Sequence, residues 1–454
     1  MTSLLIAALV LIVLGLAYQQ GAARSRALAG AGRLHSRPRY HGALVALWAA
    51  VPLLFVLALW GLVSGALEDW YIQPVVQANV ASGDSLATAL QRVQGLASGF
   101  GVSGQPAQWE IDAAQTLRAF QRQLQFSAIA LGAILAIGGL LIARRRVSAR
   151  LRARNHVEAA VRAALILCSV IAIFTTLGIV LSLLFETLRF FSFVSPAEFF
   201  FGTVWQPGYA STGSEATGGY GMVPLLVGTM MIASIAMLVA IPVGLMTAIW
   251  LTQYASRRVR TLLKPMIEIL AGIPTIVYGF FALVTVGPFL SDLGDVIGLN
   301  ITATSALTAG LVMGIMIIPF VSSLSDDIIR QVPSAMRDGS LGLGATKSET
   351  IRMVIFPAAL PGIVGAILLA VSRAIGETMI VVLAAGNAPI LRFNPFEATS
   401  SFTVTIVAAL TGDSDFASPQ SLVAFALGLT LFVLTLMLNI GALAVVRRYR
   451  EQYE

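Results

Sequence analysis

Charged side chains are scarce in this chain. Only 11% of its 454 residues are Asp, Glu, Lys or Arg, while 57% are hydrophobic; an ordinary soluble domain carries about 25% charged residues. A water-soluble chain of this length would need several polar-coated domains, so a single soluble globular domain is excluded and a bilayer is the starting point. Cysteine is scarcer still. Cys168 stands alone in an apolar run, which excludes an intrachain disulfide and a cysteine metal cluster. The three histidines, His35, His41 and His156, are scattered without ligand spacing, so no metal site is expected. No Gly-x-Ser-x-Gly elbow occurs. The stretch Gly342 to Ser348 imitates a phosphate loop, but Thr346 precedes Lys347 where a P-loop requires glycine. No catalytic residue, cofactor or nucleotide site is therefore expected in the chain, and any ATP that drives it must be held by another subunit.

Long apolar runs are what the chain has in abundance. A spanning helix needs roughly 20 mostly apolar residues, and nine segments reach that length, centred near residues 10, 54, 133, 174, 238, 279, 313, 372 and 432. Ala163 to Phe185, Met222 to Gln253 and Phe416 to Val446 are free of charge. The first span, Thr2 to Ala17, has no basic residue before it and several arginines after it, the reverse of a secretory signal peptide. The nine spans sort the connecting loops into two alternating sets. One set holds 23 of the 29 basic residues and the other holds 5, with Arg373 inside a span. Basic residues accumulate in cytoplasmic loops, which puts the N-terminus outside and the C-terminus in the cytoplasm. The same bias accounts for the net charge of +7, so nucleic acid is not indicated as a partner.

Residues 67–124 form a long outer segment with apolar positions Ile111, Leu117, Phe120 and Leu124 at helical spacing; short amphipathic helices on the outer face are expected there. Arg144, Arg145, Arg146, Arg150, Arg152 and Arg154 then separate three leading spans from a set of six, and read as a topology anchor beside anionic lipid.

The most informative cytoplasmic stretch runs from Arg337 to Pro361. Its pattern predicts a helix from about Ser334, a break at Gly342 and Gly344, a second short helix over Lys347 to Ile355, and a stop at Pro357. Such a knob suits docking in another protein's groove; an amphipathic loop resting on the membrane would show the same pattern. Aligned by Gly344, the stretch resembles the EAA loop of binding-protein-dependent ABC importer permeases. Asp338, Gly339 and Ser340 stand where Glu-Ala-Ala is usual, and Val354-Ile-Phe-Pro357 occupies the ending. The resemblance implies a coupling helix, formed around Asp338, Gly339, Ser340, Gly344 and Pro357, that inserts into a separate ATPase.

Within the eighth span lies Ser372-Arg-Ala-Ile-Gly-Glu-Thr378. Along a continuous helix from Pro361, Arg373 would lie about 18 Å and Glu377 about 24 Å into roughly 30 Å of hydrocarbon. Four residues apart, the two would share a face and pair. Ionisable groups at such depth are costly and mark a transport pathway; a pair locking two helices is the other reading. Gly272 with Pro274 can break a spanning helix along the pathway or merely kink it for packing.

Phe201-Gly-Thr-Val-Trp-Gln-Pro207, Val223 to Ala255, Ile269 to Ala282 and Arg373 to Met379 are similar to the phosphate-specific ABC transporter permease, C subunit, over about residues 160–450; the rest is similar only to a long variant with extra leading spans. The resemblance implies an all-α polytopic inner-membrane protein whose last six spans form an ABC importer type I permease core. Its regions would be 1–160, an extension with three spans; 161–221, the first core span and an outer loop; 222–446, the permease domain; and 447–454, a cytoplasmic tail. The implied cargo is inorganic phosphate. The implied partners are a sister permease subunit in a heterodimer, two copies of a cytoplasmic ATPase and a periplasmic phosphate-binding protein. Another oxyanion or a phosphonate is the alternative cargo. Glu377 argues against sulfate, because phosphate keeps a titratable proton near neutral pH, with a second pKa of about 6 for its esters. A secondary transporter or channel without an ATPase is the rival class; secondary transporters often show paired broken helices in inverted repeats, which the sequence does not show, and a channel gives no reason for the spacing around Gly344.

Overall fold

The computed structural model describes residues 2–29, 34–80, 85–99, 102, 104–207, 219–412 and 418–450. The end of the expected tail, 451–454, lies outside them. Among the described residues the chain is helical between its connections, with a single antiparallel bridge from Trp205 to Tyr220. Eight stretches are long and apolar enough to cross a membrane, and they coincide with the second to ninth expected spans. The first is helical over Thr2–Ala29, the side chains of 2–9 lying outside the description. The fold divides into two compact units, 1–173 and 174–454.

The first unit contains α1 (Thr2–Ala29), α2 (Pro38–Asn79), α3 (Leu86–Ser98), α4 (Gln108–Arg146) and the start of α5 (Ala153–Phe190). Beyond any membrane depth, α2 and α4 continue and clasp α3 around the fully buried Ile72, Val76, Val93 and Leu117. Tyr71 stacks on Phe120 at 3.9 Å, and Arg92 pairs with Glu110 at 2.7 Å. This corrects the expectation of several short helices in 67–124: α3 alone is short. No proline or glycine separates Gln108 from Leu131, so Leu117 and Phe120 ride on the same helix that becomes the third span.

The second unit takes the rest of α5, then α6 (Pro196–Phe201), α7 (Val223–Ile249), α8 (Arg257–Ala271), α9 (Thr275–Phe281), α10 (Gly287–Ile297) and α11 (Ala306–Gln331). After these come α12 (Ser334–Gly342), α13 (Lys347–Thr350), α14 (Phe356–Ile375), α15 (Met379–Ala384), α16 (Phe402–Thr411) and α17 (Pro419–Arg450). The centre of the unit is α11, where Ala309, Met313, Ile317 and Val321 are fully buried against α7 and α14.

Three π-helical turns interrupt these helices: Trp250–Tyr254 ends α7, Ala282–Val286 joins α9 to α10, and Ile351–Ile355 joins α13 to α14. The last two each end two residues before a proline, Pro288 and Pro357. A proline lacks the N–H its helix needs and crowds the carbonyl four residues earlier; the wider turn re-spaces that backbone so the helix passes. Pro357 is therefore not the expected stop, and helix continues from Lys347 to Ile375.

Candidate functional site

The stretch resembling a coupling loop is built by α12 and α13. Val332 and Pro333 end α11, and Pro333, with φ near −54°, starts α12. The far end of α12 closes at Gly344, whose φ of +92° lies in the left-handed region that favours glycine. There the Gly344 N–H donates to the Leu341 carbonyl at 3.0 Å and that of Ala345 to Ser340 at 3.2 Å. Thr346 then caps α13: its hydroxyl accepts from the Glu349 N–H at 3.3 Å, and the Glu349 carboxylate accepts from the Thr346 N–H at 2.8 Å. A 3.0 Å hydrogen bond between the hydroxyls of Ser340 and Thr350 ties the two helices together. The knob projects: Asp338 and Gly339 are exposed, and Leu343 at its tip is 92% exposed. Pro357 is exposed on α14, one turn past the knob.

Arg373 occupies the last turn of α14 with its guanidinium carbon 5.7 Å from the ring centre of Phe320 on α11. Glu377 lies outside any helix, buried in the break between α14 and α15. Gly376 terminates α14 by donating to the Ser372 carbonyl at 3.3 Å, and Thr378 adopts φ −112°. Arg373 and Glu377 consequently do not share a helix face, and no ion pair joins them among the described residues. This corrects the expectation of an i, i+4 pair, whose geometry assumed an unbroken helix.

A band of hydroxyl groups surrounds the break, unnoticed in the sequence. Thr403 Oγ1 donates to the Glu377 carbonyl at 2.9 Å, and the Ser401 and Thr403 hydroxyls lie 2.9 Å apart. Ser400 bonds Asn387 at 3.3 Å and Thr405 at 3.2 Å, while the Phe402 N–H donates to Thr229 Oγ1 at 3.1 Å. These residues start α16, an apolar helix of ten residues that is too short to span. Irregular backbone at membrane depth is tolerated where protein covers it, and here Thr399, Ser400, Ser401, Thr403 and Thr405 are all buried. The available signal was the run Thr399-Ser-Ser-Phe-Thr-Val-Thr405 beside a short apolar stretch.

Gly272 and Pro274 do break a helix: α8 ends at Ala271, Gly272 caps it and Pro274 begins α9. The Tyr278 hydroxyl stitches the break by donating to the Leu270 carbonyl at 2.9 Å. The break separates a spanning segment from α8, which has no buried residue and is anchored through charge. Asp326 of α11, with its side chain 2% exposed, accepts from Arg260 at 2.8 Å, Lys264 at 2.7 Å and Arg330 at 2.7 Å. Burial opposes the charge of Lys264, but the hydrogen bonds and charges of Asp326 and Asp327 outweigh it and hold its pKa above the usual lysine value. Of the three cations, only Arg330 lies at helical spacing from Asp326, four residues on.

Comparison with known proteins follows the same division of the chain. A family model described as a phosphate ATP-binding cassette transporter matches residues 7–175, and one described as a binding-protein-dependent transport system inner membrane component matches 240–451. The probable ABC transporter permease protein YqgH of Bacillus subtilis is 32% identical over 272 residues, covering 60% of this chain and 84% of its own length. The phosphate transport system permease protein PstC 1 of Mycobacterium tuberculosis is 32% identical over 279 residues, 55% of this chain and 82% of the relative. PstC of Mesorhizobium japonicum is 35% identical over 234 residues, 48% and 71% of the two chains. Among solved structures, a bacterial alginate ABC transporter in complex with its alginate-pentasaccharide-bound periplasmic protein aligns with TM-score 0.45 and 14% identity, covering 65% of this chain and 96% of that one.

Proposed function

The chain belongs to the ABC importer permease family that contains the phosphate transport system permeases, and from that premise we propose that it is the permease subunit of an ATP-driven importer of inorganic phosphate, supplying half of the translocation pathway. It is a multi-pass inner-membrane protein. Its partners are another permease, an ATPase and a substrate-binding protein; in the finer reading these are a sister permease in a heterodimer, two cytoplasmic ATPase copies and a periplasmic phosphate-binding protein. ATP hydrolysis then belongs to the ATPase. Residues 161–221 and 222–446 form the transport core, 1–160 its extension and 447–454 a cytoplasmic tail, with the N-terminus outside.

The observation that carries this reading is the continuous helix from Lys347 to Ile375. Its 29 residues extend roughly 43 Å, joining the exposed α12–α13 knob to the turn that bears Arg373. A push on the knob by an ATPase is delivered through the π-helical turn Ile351–Ile355 and along the α14 rod to the break holding Glu377. Arg373 is the group that meets the anion, because its fork of donors fits an oxyanion, and Glu377 accepts the proton that phosphate retains. The break at Gly272 and Pro274 lets the span from Thr275 change direction relative to α8, with the Tyr278–Leu270 hydrogen bond holding the two together. Asp338, Gly339, Ser340 and Gly344 form the ATPase contact, and Pro357 marks the join to the rod.

The test is uptake of labelled phosphate by the complex purified through this chain and reconstituted in vesicles. Uptake should require ATP, and unlabelled phosphate should compete while a tenfold excess of sulfate or a phosphonate does not. ATP-independent uptake would make it a secondary transporter, and stronger competition by a phosphonate would reassign the cargo.

A further inference from the structure

In the first unit a groove of about 510 Å³ opens between α2, the end of α4 and the start of α5, within the roughly 300–1,000 Å³ typical of ligand sites. Its wall is apolar: Leu44, Trp48, Val51 and Pro52 come from α2, and Ala160 from α5. Two basic side chains complete it, Arg146 from the last residue of α4 and His156 from the first turn of α5. They lie at the membrane boundary marked by the arginine cluster. Pro52 lies four residues beyond Trp48 on α2, one turn and about 6 Å further along its axis.

The groove is built into the packing. A Cβ at Gly139 would lie 2.1 Å from the Trp48 carbonyl oxygen, so glycine there lets α4 press directly on α2 and holds Arg146 above Trp48, 5.3 Å from its ring centre. Pro52 has no N–H to offer the same Trp48 carbonyl. Arg146 meets a ring face, and no carboxylate pairs with it or with Arg145, Arg150 or Arg152 among the described residues; Arg154 alone of the cluster pairs, with Glu158. An unneutralised guanidinium therefore stands at the mouth of a mostly apolar groove along α2.

Few molecules satisfy both halves of that site. A neutral lipid fills the slot and leaves the charge unmet, whereas free phosphate meets the charge and gains nothing from the apolar wall. We propose that the groove binds one anionic phospholipid, with its phosphodiester on Arg146 and His156 and an acyl chain along Trp48, Val51 and Pro52. Charge-assisted bonds from a guanidinium fork suit that phosphate, and basic pockets between spanning helices are where anionic headgroups collect.

The full chain, purified in detergent and examined by native mass spectrometry, should retain phosphatidylglycerol roughly tenfold better than phosphatidylcholine of matched chains. Arg146→Gln should lower phosphatidylglycerol retention roughly tenfold and Arg146→Lys by less, since charge survives without the fork. Arg152→Gln, outside the groove, should leave retention within about twofold. Ala160→Phe should fill the slot and reduce retention with Arg146 intact. Helical circular dichroism and elution volume identify any variant that has misfolded. Equal retention of the two lipids by the unaltered chain, or full retention in a folded Arg146→Gln variant, would overturn the proposal. So would displacement of phosphatidylglycerol by inorganic phosphate, which would mark a free-anion site.

Discussion

A spacing of four residues puts two side chains on one face only while the helix between them continues. Gly376 stops α14 between Arg373 and Glu377, so the two charges belong to different backbone environments. A double-mutant cycle tests this directly. Arg373→Met and Glu377→Gln should each abolish phosphate uptake, yet their effects on the thermal stability of the purified complex should add within about 0.3–0.5 kcal/mol; a larger coupling would restore the paired reading. Asp326 is the converse case, a carboxylate whose partners were invisible in one dimension. Asp326→Asn strips three cations of a shared buried partner. A loss of about 2–3 kcal/mol is expected, below the 3–5 typical of fully buried pairs because Arg260, Lys264 and Arg330 reach solvent. Asp327→Asn, whose side chain is 58% exposed, should cost under about 1 kcal/mol. Comparing unfolding midpoints of the two variants checks the ordering.

At the scale of elements, the α12–α13 knob follows from local chemistry: a proline start, a glycine in the left-handed region and a Thr346–Glu349 capping box. That is why its start at Ser334, its break at Gly342 and Gly344 and its restart at Lys347 were readable. Its continuation past Pro357 was not, because the tolerance depends on a π-helical turn that no residue type dictates. Leu343 gives the clean test of docking. Being 92% exposed, it contributes little to folding, so Leu343→Asp should leave expression and membrane insertion unchanged. It should also remove the ATPase from the purified complex and reduce uptake at least about tenfold, because an apolar contact is replaced by a buried charge. Retention of the ATPase at normal levels would show that the tip lies outside the contact.

At the scale of the whole molecule, orientation rests on the partition of basic residues, 23 against 5. Reporter fusions at residues 155, 260 and 340 should report cytoplasm, and fusions at 295 and 392 the outer side. A reversed report at 155 or 340 would refute the alternation. The eight spans found among the described residues match the expected second to ninth.

The sequence alone determined the membrane setting, the helical class, the positions of the spans and the family, because apolar length and glycine or proline punctuation act locally and are written in order along the chain. Tertiary structure decided what depends on residues distant in sequence or on cooperative backbone choices. It ended α14 at Gly376 and gathered buried hydroxyls from 399–405 around the Glu377 backbone. It also brought Arg260 and Lys264 to Asp326 across more than sixty residues, and opened a groove beneath Arg146. The hydroxyl and Asp326 networks required desolvated polar groups to find partners, because in a low-dielectric interior a polar group takes whichever partner packing brings within reach; the groove required the close packing of α2 on α4 that Gly139 permits.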